Sequence, residues 1–202
     1  MSPRPYRLGK RQDQIDESRR RIIDAARALL AEAGSYRAFT VDAVAKKADV
    51  AKATIYYQFE SKTGLLEAVC DALAEAGGMS ELAAAFTDPD PSAALRAFVA
   101  TFGHFWDADR PAMRRLRALA ALDPEVGGVI AARDARRRTG LGVLAGRLAE
   151  GRDATSRGDP EDLVRVLFVL TSFETFDALA GPDAALTDAI GDVVRLVEAV
   201  VG

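Results

Sequence analysis

Asparagine is absent from this 202-residue chain, and cysteine, histidine and tryptophan occur once each, as Cys70, His104 and Trp106. A lone cysteine excludes an intrachain disulfide, and one Cys with one His cannot supply a structural zinc site. This composition suits a reducing compartment, and a cytoplasmic location is expected. No stretch approaches the ~20 apolar residues needed to cross a bilayer. The basic, polar N-terminus has no apolar run and does not read as a secretory signal, so no membrane partner is expected. Catalytic signatures are missing too: there is no Walker loop, no G-x-G-x-x-G after a strand, no H-E-x-x-H and no serine nucleophile elbow. Acid–base and thiol chemistry have few candidate groups, so the chain is not read as an enzyme and no cofactor or metal is expected.

What the chain does have is a polarised charge distribution and a large apolar content. Apolar residues make up 49% of the chain, enough for a substantial core. The net charge is −3, which taken alone argues against a nucleic-acid partner. The placement of the charges argues the opposite. Residues 1–62 carry 13 Lys and Arg against 8 Asp and Glu, and all five lysines lie there. The other 140 residues carry 14 against 22. A basic head on an acidic body concentrates attraction for phosphate at one end.

Within the head, Phe39 to Leu66 reads F-T-V-D-A-V-A-K-K-A-D-V-A-K-A-T-I-Y-Y-Q-F-E-S-K-T-G-L-L. Thr40 is placed to N-cap a helix whose buried face is Val41, Val44, Ala45 and Ala48. Asp49 and Val50 interrupt the pattern. A second short helix is expected from about Ala51 to Phe59, with Val50, Ile55 and Phe59 as inward apolar positions, and Ser61 can cap a third. Two short helices joined by a tight corner, with small Ala45 at the crossing, describe a helix-turn-helix. The second helix of such a unit fits the major groove. Its outward residues are Lys52, Thr54, Tyr56, Tyr57 and Gln58, none of them acidic. Lys52 can donate to guanine O6 and N7, Gln58 can pair with adenine, and Ala53 and the Thr54 methyl can meet a thymine methyl. Lys46, Lys47 and Lys62 flank the unit and suit phosphates.

These residues resemble the DNA-binding signature of the tetracycline-repressor (TetR/AcrR) family, most specifically in T-I-Y-Y-Q-F followed by S-K and a Leu-Leu pair. The resemblance covers about Arg20 to Leu73. It implies that Lys52, Ala53, Tyr56, Tyr57 and Gln58 face bases or nearby backbone, and that Thr40, Thr54 and Lys62 hold phosphates. Two departures stand out: Asp49 occupies a corner that often carries Gly, and Ala51 opens a helix that often begins with Ser. Asp tolerates the left-handed region, and a lost Ser cap costs ~1 kcal/mol.

The remaining sequence reads as helices throughout. The expected fold is all-α: an N-terminal three-helix helix-turn-helix head and a larger C-terminal helical bundle for ligand binding and dimerisation. The expected divisions are a flexible basic arm over 1–12, a DNA-binding domain over 13–60, and a regulatory and dimerisation domain over 61–202. A first helix is expected from Asp13 to Ala33, ending at Gly34. Breaks are expected at D-P-D-P (88–91), Pro111, Asp123-Pro124, the polar loop 150–159 and Gly181-Pro182. Arg133, Arg136, Arg137 and Arg138 are expected outside, linked to Asp134 and neighbouring acids.

Two expectations concern partners. The last two helices, Pro160 to Ala180 and Ala184 to Val201, are apolar over more than one stripe and so need covering on several sides. A two-fold contact with their copies accounts for this, and the resemblance implies the same homodimer. Such a dimer would read a palindromic operator on double-stranded DNA, with repression as the default. Phe98, Phe102, Phe105, Trp106, Met113 and Phe168 can line a cavity between helices, and the resemblance implies a small-molecule effector there. Glu174 and Asp177, odd polar groups on an apolar helix, are read as touching that ligand or pairing with arginine across the dimer. The competing reading is a helical scaffold or adaptor with degenerate DNA binding, favoured by Asp49 and Ala51 and opposed by Lys52, Tyr56, Tyr57 and Lys62.

Overall fold

The computed structural model describes residues 4–32, 39–150 and 159–202, and their regular structure is helical throughout. The chain falls into two compact units, Met1–Ala72 and Leu73–Gly202. Among the described residues no helix is long and apolar enough to cross a membrane.

The first unit contains α1 (Arg4–Ala31), α2 (Val41–Ala48), α3 (Lys52–Phe59) and most of α4 (Lys62–Ala76). The division at Ala72 falls inside α4 rather than at residue 60, because α4 buries Leu65, Leu66 and Val69 completely and so belongs to this unit's core. From α1 that core takes Ile22, Ala26 and Leu30, which recur at helical spacing and are fully buried. Helix α1 begins at Arg4, so the stretch expected as a flexible arm over 1–12 is helical from that residue on. Pro5 does not prevent this, since a first-turn N–H has no intrahelical acceptor and its loss costs nothing there. The expected stop at Gly34 lies outside the described residues, as does 151–158 of the expected polar loop.

The second unit is organised around α6 (Pro91–Asp107), which touches α5 (Leu82–Thr87), α7 (Arg110–Ala120), α8 (Pro124–Glu150), α10 (Phe173–Ala180) and α11 (Ile190–Val201). Helix α9 (Pro160–Leu170) packs on α8 and α11. Three of these helices open with the same device, an aspartate N-cap followed by proline in the first turn. Asp90 accepts from Ser92 N, Asp109 from Ala112 N and Asp159 from Glu161 N. Proline is pre-organised at that position, so the residues that forbid a continuous helix also start the next one.

The span 160–180 is two helices and not the single one expected. It breaks at Thr171 and Ser172, where the Ser172 side chain accepts from Thr175 N and starts α10. The Thr171 carbonyl, freed from the helix, accepts from Trp106 Nε1 at 3.1 Å. A tertiary partner for that carbonyl is what makes the break tolerable in a buried place.

Candidate nucleic-acid interface

Thr40 has an extended backbone, and its hydroxyl oxygen accepts from Ala43 N at 3.1 Å. Its own O–H remains available to donate outward. At the other end of α2 the chain turns through Asp49, at φ 53° and ψ 52°. Asp49 N donates to Lys46 O and Val50 N to Ala45 O, the paired bonds of a left-handed helix stop. Asp49 therefore holds the corner in the conformation for which glycine is preferred.

Helix α3 follows without a side-chain cap, since Ala51 has none to give. Ile55 and Phe59 are buried and fix its inner face. Its outer face presents Lys52, Ala53, Tyr56 and Tyr57, with the two tyrosines 43% and 76% exposed. Thr54 and Lys62 are half-buried. Lys52 Nζ lies 2.9 Å from each oxygen of Asp42, in the first turn of α2. The hydrogen bond to Asp42 raises the lysine above its ordinary pKa, against a smaller desolvation effect.

Gln58 differs from the expectation of an adenine reader. It is half-buried, and its Oε1 is enclosed with no hydrogen-bond partner. In this conformation its Oε1 is turned into the protein, and the same turn of α3 is clamped from α1. Arg19 donates to the Gln58 carbonyl at 2.9 Å and lies 4.4 Å above the Phe59 ring. A cation there also suits the negative end of the helix dipole.

The joint after α3 is tight. Glu60 has φ 64° and ψ −41°, and Ser61 N donates to Phe59 O across it at 2.7 Å. This is a γ-turn with positive φ, a rare and strained conformation for a residue with a side chain. Ser61 Oγ then accepts from Gly64 N at 3.0 Å and starts α4. Gly64 leaves no room for a side chain: a Cβ on it would stand 2.1 Å from Phe59 O.

In the second unit four of the expected ligand residues, Phe98, Phe102, Phe105 and Trp106, form one contiguous aromatic row. Phe98 and Phe102 lie 4.7 Å apart, Phe102 and Trp106 5.7 Å, and Phe105 and Trp106 4.5 Å, by ring centroids. Phe98, Phe102, Trp106 and Met113 are buried, while Phe105 and Phe168 are half-buried. Phe168 lies beneath two guanidinium groups, Arg137 at 3.9 Å and Arg138 at 4.1 Å.

The family model of the bacterial regulatory proteins, tetR family, matches residues 22–69, which span the corner, α3 and the Gly64 joint. Residues 22–69 thus match the DNA-binding segment of the tetR family of bacterial regulatory proteins. The uncharacterized HTH-type transcriptional regulator YvkB of Bacillus subtilis (strain 168) is 50% identical over 50 residues, 25% of this chain and 26% of that protein's length. A putative TetR-family transcriptional regulator from Rhodococcus sp. is 20% identical, with 92% of this chain and 100% of that one covered at a TM-score of 0.70. A putative transcriptional regulator from Saccharomonospora viridis in complex with choline is 19% identical, covering 91% and 96% at a TM-score of 0.64. These two likenesses concern the fold. TetR-family proteins are transcriptional regulators and not enzymes.

Several groups of this chain do not announce their contacts in the sequence. Arg137, expected outside, is buried and faces inward. Its NH1 donates to Phe168 O at 2.7 Å and to Thr171 Oγ1 at 2.9 Å, and its NH2 pairs with Asp134 at 3.3 Å. It thus satisfies a carbonyl in the last turn of α9. Burial lowers its pKa to about 10, with Asp134 opposing, so it stays charged at neutral pH. Glu174 and Asp177 pair with arginines of the same chain. Glu174 takes Arg117 at 2.6 Å, and Asp177 takes Arg110 and Arg114, each at 2.7 Å. An apolar helix shows its acids in the sequence, but not which of the nearby arginines reach them.

Proposed function

We propose that the chain is a homodimeric transcription regulator of the cytoplasm that represses from a palindromic operator and is released by a small-molecule effector. The observation that carries the DNA-binding part is the outer face of α3. It offers an ammonium, two exposed phenols and an exposed methyl, and no acid of its own. Lys52, Ala53, Tyr56 and Tyr57 reach bases or adjacent backbone, while Thr40, Thr54 and Lys62 serve phosphates. Gln58 joins them only if its amide turns outward. One such helix reads too few base pairs, and a two-fold pair reads half-sites ~34–36 Å apart or somewhat wider.

Support for the homodimer comes from apolar groups left in solvent. Val166 and Val169 on α9, Leu179 on α10, and Leu196 and Val200 on α11 are exposed, with Val169 at 60%. Large apolar side chains clustered on the last helices mark a contact surface. For the effector, the aromatic row and Met113 supply an apolar lining. The choline bound by the Saccharomonospora viridis protein suggests that bodies of this shape accept small molecules. A quaternary ammonium would not suit Phe168 here, because the ring already carries Arg137 and Arg138.

The test is selection of duplexes from a random pool by the purified protein, followed by gel shift and solution mass. A palindromic consensus bound by a dimer is expected. Lys52→Ala and Tyr56→Ala should lose binding to it while the dimer persists. Normal binding by both variants would show that α3 is not the reading helix.

A further inference from the structure

We infer that Asp42 is a specificity-setting residue, standing in for a DNA phosphate on Lys52 and lowering binding to unselected sequence. The inference rests on the DNA-binding role proposed above. Lys52 is the sole charged residue of α3, so it is the one cation that helix can bring to a groove. Both oxygens of Asp42 lie 2.9 Å from its Nζ. Asp42 sits in the first turn of α2, two residues after Thr40, where the unpaired N–H groups of a helix start also attract an anion. The carboxylate therefore occupies the charge environment that a backbone phosphate would seek.

The pair stands in solvent, with the lysine side chain 48% exposed and the aspartate 72%. An exposed pair of this kind opens readily and adds little to stability. Its effect falls on the partner instead. A phosphate arriving at Lys52 is an anion beside an anion, and must either displace Asp42 or bind against its repulsion. Guanine O6 and N7 are neutral acceptors. An ammonium has three N–H groups and can keep Asp42 on one while giving the others to a base. Phosphate contact competes with the pair, whereas base contact is compatible with it. Asp42 should thus weaken binding to arbitrary sequence more than binding to the preferred site.

The experiment compares wild type, Asp42→Asn, Lys52→Ala and the double variant on two probes, across ~50–300 mM KCl. One probe is a random-sequence duplex of about 40 base pairs, several times the one-turn half-site spacing; the other is the duplex that wild type selects from a random pool. Asp42→Asn should bind the random duplex about tenfold more tightly and steepen its log K against log salt slope by up to ~0.9, the value of one more neutralised phosphate. The selected-to-random affinity ratio should fall by several-fold, and both effects should vanish in the Lys52→Ala background. Asp42→Ser, which also leaves a small polar residue in the turn, should repeat them. An unchanged slope, an equal gain on both duplexes, or an effect that survives Lys52→Ala overturns the inference while leaving DNA binding intact. A wild type that binds neither duplex overturns the parent reading, and this inference with it.

Discussion

Gly64→Ala separates an argument from helix propensity from an argument from structure, because the two give opposite signs. Gly64 is in the first turn of α4, and alanine is better than glycine in a helix by up to ~1 kcal/mol. Propensity alone therefore predicts a stabilised protein. The structure puts the new Cβ 2.1 Å from Phe59 O and 3.3 Å from Phe59 C. Carbon and oxygen in contact ordinarily sit at about 3.3–3.6 Å, so the two chain segments must part by over ~1 Å. Neither is free to move. Phe59 O is held by Ser61 N at 2.7 Å, Phe59 is buried, and Leu65 and Leu66 beside Gly64 are fully buried. Forcing extra volume into such a place costs ~1–3 kcal/mol or more. Net of propensity, the first unit should lose about 2 kcal/mol, and the end of α3 should shift.

Native-state amide hydrogen exchange is the suitable assay, because it reports on α2 and α3 separately from the second unit. A loss of about 2 kcal/mol is roughly a 30-fold faster exchange of their most protected amides. DNA binding should fall with it, since α3 carries the reading face. Gly142→Ala is the control: nothing lies within 4 Å of its Cβ position, so it should follow propensity and be neutral to stabilising. Exchange in Gly64→Ala that is unchanged or slower than wild type would refute the reasoning.

Three further outcomes follow from the same geometry. Ala51→Ser should stabilise the first unit by ~1 kcal/mol in urea unfolding, because the extended backbone at Ala51 is already that of an N-cap and lacks only the hydroxyl. Glu60→Gly should relieve a φ of 64° and slow exchange around the α3–α4 joint by several-fold, despite the extra entropy glycine gives the unfolded chain. At Asp177, burial pushes the carboxyl up, but hydrogen bonds and charge from Arg114 and Arg110 outweigh it and hold the pKa below the ordinary 3.8. Its contribution is therefore complete above the unfolded-state value and disappears as pH falls through the lower folded value. The stability gap between wild type and Asp177→Asn should be constant above about pH 5 and close on acidification, as followed by urea midpoints.

The legible part of this molecule was the part decided within a few residues. Thr40, Asp49 and Ser61 all act on backbone groups next to them, so their identity and position were enough to place helix ends. The burial of Ile55 and Phe59, or of Leu65 and Leu66, followed from helical spacing in the same way. Pro5 misled because a proline near a helix start looks the same in sequence as one that prevents a helix. At Thr171 and Ser172 a local signal existed, Ser172 with an acid two residues later, but apolar residues on both sides made one long helix the simpler reading. The groups that stayed hidden join distant points: Arg19 to Gln58, Arg137 to Phe168, Asp42 to Lys52, and Gly64 against the Phe59 carbonyl. An arginine inside a run of arginines, or a glycine between Thr63 and Leu65, carries no mark of what it will meet.

The interruption at Thr171 uncouples two stretches that a single rod would have locked in phase. Its upstream piece is tethered through Arg137, and its downstream piece through Arg110, Arg114 and Arg117. Adding a residue to an unbroken rod would swing everything beyond it by ~100°, moving Val166, Val169 and Leu179 relative to one another. Here the hinge can absorb such a change, so the outward valines of one piece and the leucine of the next can be re-aimed independently as the surface they present is altered.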